Sequence, residues 1–138
     1  MVKFESSMII EIPFYDLDPM NVVWHGNYVK YLEEARCEMF KNLKYTYEDM
    51  GADGIAYPVA KMDLKFIKSC RFGQKIKVTT LLEEIEPCIM IKYIITDAST
   101  DEKILTARSM QICINTKNGE SIHCAPSGLK KIFEECKV

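Results

Sequence analysis

Between Asn27 and Leu43 the apolar and aromatic side chains fall at Tyr28, Tyr31, Leu32, Ala35, Met39, Phe40 and Leu43. That is the three-and-four spacing of one helical face, and it predicts a helix about 25 Å long at 1.5 Å per residue. The other face carries Lys30, Glu34, Glu38 and Lys41, charges that solvate it. After Lys44 the period changes to two. Ala60, Met62, Leu64 and Phe66 alternate with Lys61, Asp63 and Lys65, and Ile76, Val78, Thr80 and Leu82 alternate with Lys75, Lys77, Thr79 and Glu83. Both runs predict half-buried strands. Ile89 to Thr96 predicts a further strand, Asp97 to Glu102 a polar turn, and Ile104 to Ile114 the longest strand of the chain.

Shorter signals complete the pattern. Ser7 to Pro13 is apolar enough for a first strand, and Tyr47 to Met50 predicts a brief helical turn that Gly51 and Gly54 end. Asn118-Gly119 predicts a hairpin turn. From Ser127 to Val138, Leu129, Ile132, Phe133 and Cys136 recur at helical spacing, so a short closing helix is expected there, with Ser127 as its cap. One long helix followed by antiparallel-looking strands with short connections implies an α+β fold whose sheet wraps the helix. No linker or repeat interrupts it, and residues 1–138 read as a single domain long enough to bury a core.

Composition narrows the function classes. Eighteen basic against twenty acidic residues leave a net charge of -2, which gives no electrostatic footprint for nucleic acid. No apolar run approaches the roughly 20 residues of a membrane span. The segment MVKFESSMIIEIPF lacks the basic-then-apolar layout of a signal peptide, so a cytoplasmic protein is expected. The six cysteines form no C-x-x-C pair and His25 and His123 lie far apart, a distribution that implies no metal site. The cysteines read as reduced packing residues. His123 and Cys124, being adjacent in an extended segment, would point to opposite faces and so make no nucleophile and base.

The chemistry concentrates in Tyr15 to Tyr28, YDLDPMNVVWHGNY. Asp16 and Asp18 flank Leu17, Pro19 stops strand pairing, and Gly26 with Asn27 opens the long helix. An acid and a base candidate, Asp18 and His25, thereby converge on a helix N-terminus, where unpaired N–H groups and the positive end of the macrodipole can hold a developing oxyanion. The arrangement suits acyl transfer. Asp18 before Pro19 is also what a simple turn would use, and Asp16 reads as a residue that hydrogen-bonds its own loop. The His25 backbone N–H is the better oxyanion donor, with Trp24 and Tyr28 as walls.

This stretch resembles the signature of the 4-hydroxybenzoyl-CoA thioesterase family of hotdog-fold acyl-CoA thioesterases. The resemblance is carried by Asp16, Asp18, Val22, Val23, Trp24, His25 and Tyr28, then by Glu33, Glu34, Ala35 and Arg36, and again by Phe66 to Gln74. It implies a hotdog fold that hydrolyses an acyl-CoA to free acid and CoA, with Asp18 as nucleophile or general base and no metal or organic cofactor. It also implies a homo-oligomer, a dimer of dimers, with sites between subunits. Phe14 stands where many relatives carry Tyr, and Ser69 and Gln74 replace the usual Pro and Asp of the central loop. The CoA phosphates need cations, for which Lys68 and Arg71 are the candidates, near Lys65. A non-catalytic acyl-thioester binder and a dehydratase-type lyase are the rival readings on the same fold. Retention of Asp18 and His25 argues against both.

Overall fold

The structure is a computed structural model that describes residues 4–136. Its elements are β1 (Phe4–Glu11), α1 (Asn27–Leu43), α2 (Tyr47–Ala52), β2 (Ile55–Ala56), β3 (Val59–Phe66), β4 (Lys75–Glu84), β5 (Ile89–Asp97), β6 (Lys103–Gln111), β7 (Cys113–Asn115), β8 (Ser121–Ile122) and α3 (Ser127–Glu135), with a 3-10 turn over Phe14–Asp16. The main sheet runs β1-β4-β5-β6-β3 and is antiparallel throughout. A small sheet, β2-β7-β8, stands beside it.

Strict alternation decides which residues face the helix. The register aligns Ser6, Thr80, Tyr93, Ala107 and Leu64 in one row across the sheet, while the next row, Ser7, Thr79, Ile94, Thr106 and Lys65, points the other way. Helix α1 packs on β1 and β4 and buries all seven residues of the expected stripe. Ile76, Val78, Leu82, Ile91 and Ile95 are buried with them, at about 1.5–3 kcal/mol for each large aliphatic side chain taken from water. This is the α+β hotdog arrangement, a sheet curled around one central helix.

Several boundaries differ from the pattern. Strand β1 begins at Phe4 and ends at Glu11, because all eight of its residues pair with Leu82 back to Lys75 and Pro13, lacking an N–H, lies past the ladder. Helix α2 runs through Gly51, held at its start by the Thr46 and Asp49 capping box, and it is Gly54, at φ +74°, that turns the chain away. The run Ile104 to Ile114 is not one strand. At Ile112 the amide donates to the Pro58 carbonyl at 3.1 Å, and the chain passes from the main sheet into the small one. The longest strand is therefore β4, with ten residues.

The hairpin at Asn118-Gly119 is present between β7 and β8, with Gly119 at φ +72°. Ser127 does not cap α3: Pro126 occupies the cap position, no side chain bonds the free amides, and the tail of the expected helix at 137–138 lies outside the described residues. Cys70 and Cys113 are packing residues as expected, whereas Cys37 and Cys124 are exposed. No helix among the described residues is long and apolar enough to cross a membrane.

Candidate active site

The segment between β1 and α1 is built on main-chain bonds. Ile12 exchanges bonds with the turn after β3, donating to the Gln74 carbonyl and accepting from Gly73. Leu17 and Val23 form an isolated antiparallel bridge, and inside it the Asp18 amide donates to the Val22 carbonyl at 2.8 Å. Asn21, at φ +63°, supplies the left-handed residue that closes the loop, a conformation Asn tolerates better than most. The Met20 amide donates to Asp18 Oδ1 at 2.8 Å. One carboxylate oxygen of Asp18 is thus held by its own turn, and the other accepts no hydrogen bond from the described residues.

Asp16 behaves differently from the expectation that it serves its own loop. Its carboxylate is buried and accepts from Lys30 Nζ at 2.7 and 2.8 Å and from the Tyr31 hydroxyl at 2.6 Å, both on α1. Burial opposes the Asp16 charge, but the hydrogen bonds from Lys30 and Tyr31 and the nearby ammonium outweigh it and hold the carboxyl below its ordinary 3.8. Two aspartates two residues apart therefore have separate surroundings, one tied into the helix and one left open to the cleft.

Helix α1 starts without a side-chain cap, its Gly26 already in a right-handed helical conformation. The Asn27 amide is satisfied by the Trp24 carbonyl and the Tyr28 amide by the His25 carbonyl. The amides of His25 and Gly26 find no acceptor among the described residues. These are donors at the positive end of a seventeen-residue helix, of the kind that stabilise an oxyanion.

A cleft of about 330 Å³ opens at this point. Asp18, Met20, Val22, Val23, His25 and Tyr28 line one side, and Phe66, Ile67, Lys68 and Ser69, at the end of β3, line the other. The structure thus brings together Asp18, His25, Tyr28 and Lys68 of the expected residues. Trp24 and Arg71 are not part of the lining. Trp24 stands behind His25, ring centroids 5.2 Å apart, and is about half exposed. Arg71 is exposed in the turn that follows the cleft.

The polar ends of these residues are largely committed. The Tyr28 hydroxyl accepts from the Cys70 amide at 3.3 Å, and burial raises its pKa, so it stays protonated as part of the wall. Lys68 Nζ donates to both carboxylate oxygens of Glu102 at 2.8 Å, in an exposed pair. His25 sits edge-on to Phe66, centroids 6.3 Å apart, and Phe66 in turn meets Tyr28 at 5.7 Å.

Phe66 and Ile67 escaped the reading of the sequence as site residues. The signal was there in their adjacency: two large apolar residues in succession break the alternation of β3 and place one of them off the core face. Both are about half exposed, as is Met20 to a greater degree. Among the described residues no cluster of three His, Cys, Asp or Glu side chains has metal-binding geometry. The cleft offers the Asp18 carboxylate, the unpaired His25 amide with that of Gly26 next to it in the chain, and apolar walls, a combination suited to a carbonyl compound attacked by water or by the carboxylate itself.

Comparison with known proteins agrees. YneP of Bacillus subtilis (strain 168), provisionally named an acyl-CoA thioesterase, is 26% identical over 117 residues, covering 85% of this chain and 85% of that protein. The crystal structure of a DHNA-CoA thioesterase from Staphylococcus aureus superposes with a TM-score of 0.86 at 28% identity, over 95% of this chain and 89% of that one. The structure of the BH1999 gentisyl-coenzyme A thioesterase shares the fold, with a TM-score of 0.78 at 17% identity, over 93% and 99% of the two chains. Residues 12–132 match the family model described as the Thioesterase-like superfamily, a wider group than the 4-hydroxybenzoyl-CoA thioesterases that the aspartate motif resembles. Fold, cleft and sequence match converge, and the chain belongs to the Thioesterase-like superfamily.

Proposed function

We propose that this protein is an acyl-CoA thioester hydrolase in which Asp18 supplies the base or nucleophile. The observation that carries the reading is the placement of the Asp18 carboxylate, with one oxygen unengaged, in the same cleft as the start of α1. In the general-base course, Asp18 takes a proton from water as its oxygen attacks the thioester carbon. The carbonyl oxygen gathers negative charge against the His25 and Gly26 amides, the C–S bond breaks, and CoA leaves as a thiolate that is then protonated. In the nucleophilic course Asp18 itself forms a mixed anhydride, releasing the thiolate, and water opens the anhydride to free acid and regenerated carboxylate. Neither course calls on a metal or an organic cofactor.

The apolar wall of Val22, Tyr28, Phe66 and Ile67 takes the acyl group, and the names of the superposed thioesterases favour aryl thioesters within the panel to be tested. The 4-hydroxybenzoyl-CoA resemblance is a further argument for an aromatic acid. Arg71, which makes no ion pair among the described residues, is the better candidate for the CoA phosphates, because Lys68 is already bonded to Glu102. We place the enzyme in the cytoplasm, where acyl-CoA is made and used.

We further infer a dimer, paired into a tetramer. Strand β3 is an edge of the main sheet, and Val59, Phe66 and Ile67 leave large apolar surface along it. An unpaired edge with apolar side chains is covered at least cost by a second copy. A monomer in sedimentation at micromolar concentration, with full activity, would exclude this.

The test of the activity is thiol release over a panel of short, long and aromatic acyl-CoAs, with wild type and Asp18→Asn. Asn preserves the acceptor for the Met20 amide, so the turn persists while the base is lost. A fall in kcat of at least about a hundredfold is expected, with substrate affinity within several-fold. An Asp18→Asn protein that hydrolyses at the wild-type rate would remove the role of Asp18, and a wild type that hydrolyses none of the panel would favour the non-catalytic binder.

A further inference from the structure

We propose that Asp16 is a positioning residue for the hydrolysis: its bonds to Lys30 and Tyr31 set the place of Asp18 relative to the start of α1. The proposal rests on the assignment of Asp18 given above. Its basis is the number of connections that meet at one residue. The Asp16 side chain accepts from Lys30 Nζ and the Tyr31 hydroxyl, and its carbonyl accepts from the Trp24 amide at 3.1 Å and from Asn27 Nδ2 at 2.8 Å. Its amide donates to the Pro13 carbonyl at 3.2 Å. Apart from Pro13, the partners belong to the first turns of α1 and to the residue that precedes the two unpaired amides. Asp16 therefore clamps both ends of the loop, since the chain leaves it for Asp18 and returns at Trp24 against its own carbonyl.

The carboxylate cannot be exchanged for a neutral group without changing the geometry. Lys30 is about half exposed at its side chain, at 46%, while the Asp16 side chain is at 4%, so the ammonium bends inward from the surface to reach a buried partner. It also lies 5.9 Å from the Tyr15 ring centroid and 5.5 Å from that of Tyr31, contacts that keep it over the loop. If the Asp16 charge is removed, the ammonium regains water and withdraws, and the stem of the Asp18 loop is left with the Tyr31 hydroxyl, the Asn27 side-chain amide and main-chain bonds. A reacting carboxylate displaced by a fraction of an ångström loses rate without losing the pocket that binds the acyl group. Asp16 does not line the cleft, so it has no contact with substrate to lose.

The experiment compares Asp16→Asn, Lys30→Met and the double variant, with Lys30→Arg as the conservative substitution. Steady-state kinetics are paired with calorimetry on a non-hydrolysable thioether analogue of the substrate, which counts folded, binding-competent sites. The expected result is a fall in kcat of about tenfold in each single variant, no further fall in the double, and KM and analogue stoichiometry close to wild type. Lys30→Arg should recover most of the rate, a rescue that a purely structural role, read as a loss of binding-competent sites, does not produce. Should Asp16→Asn fail to fold, Lys30→Met and Tyr31→Phe carry the same comparison. Wild-type kcat in the folded single variants overturns the proposal, and so does a loss of rate matched by loss of analogue sites. If Asp16→Asn is as damaging as Asp18→Asn while Lys30→Met and Tyr31→Phe keep the wild-type rate, Asp16 does not act through these partners, and this proposal falls while the assignment of Asp18 stands. If Asp18→Asn is inactive while the Asp16 and Lys30 variants are unchanged, the enzyme reading stands and the positioning role alone is lost.

Discussion

The indole ring of Trp24 lies over Gly26 and fills the space that a β-carbon on residue 26 would need. Gly26 has φ -67°, so its backbone would accept any residue, and it is the ring rather than the dihedral angle that demands glycine. Trp24 is the one tryptophan of the sequence. Gly26→Ala should force the ring aside, shift its fluorescence emission and move the two amides beside it. A fall in kcat of roughly tenfold is expected for such a displacement at an oxyanion site. Unchanged emission together with an unchanged rate would show that the ring is not what the position serves.

The assignment of Arg71 to the CoA phosphates predicts a salt dependence. Arg71→Ala should raise KM more than it lowers kcat, and the wild-type KM should rise with ionic strength as charge-assisted contacts are screened. Pantetheine thioesters that lack the nucleotide should be poorer substrates. Equal hydrolysis of the two would remove the phosphate role.

Acid should weaken the fold in a defined window. Asp16 is held below its ordinary 3.8, and so is Asp97, first by the Gln74 side-chain amide and then by the Ser99 and Thr100 amides. Glu86 is held below 4.5, first by the Ala125 amide and then, against some desolvation, by Lys130. A carboxyl with a depressed folded pKa contributes stability that is complete above its unfolded value and is lost as pH falls through its folded value. Urea midpoints should therefore be level above about pH 5 and decline below about pH 4. Asp16→Asn should lower the level part and flatten the decline, so that the two curves converge in acid. Curves that stay parallel to pH 2.5 would mean that Asp16 carries none of the acid sensitivity.

Arg36 is a buried cation on the face of α1 that packs against the sheet. Its Nε donates to the Tyr47 hydroxyl at 2.9 Å, its Nη1 to the Tyr93 hydroxyl at 3.3 Å, and its Nη2 pairs with Glu33. Tyr93 continues to Ser109 at 2.7 Å, so one guanidinium links α1, α2 and the middle of the sheet. Arg36→Ala should cost about 2–3 kcal/mol through lost bonds and an unfilled space, with a fall in Tm of roughly 10 °C. Arg36→Lys should recover little, because an ammonium cannot reach three partners in different directions. A Tm within a degree or two of wild type for Arg36→Ala would contradict the structural role.

The sequence made α1 legible to the residue, since an uninterrupted stripe from Tyr28 to Leu43 has no competing period. The strands were legible as strands, but the break at Ile112 was not, because β-forming apolar residues continue through it at Ile112, Cys113 and Ile114, and only the carbonyl of Pro58, far back in the chain, decides the change of sheet. Both aspartates of the motif were visible as candidates. That Asp16 would be drawn into the helix depends on Lys30 and Tyr31, fourteen and fifteen residues on, whose reach cannot be read from spacing in a loop. Arg36 falls on the apolar face of α1, four residues after Leu32 and four before Phe40, which pointed to its burial, but the Tyr47 and Tyr93 hydroxyls that satisfy it are collected only by the fold. Trp24 was named as a wall from its place in the motif and Arg71 as a cation for phosphates in the loop after β3, and neither lines the cleft.

The loop from Leu17 to Val23 keeps its shape by amide-to-carbonyl bonds, with Asp18, Asn21 and Val23 as the donors. Only the Asp18 side chain takes part in that frame, through the Met20 amide, while the side chains of Met20 and Val22 project into the cleft with no structural duty in the loop. Frame and contents are therefore separable. A lineage, or a laboratory selection, can rewrite those two positions to suit a bulkier, slimmer or more polar acid and leave the reactive carboxylate where it was.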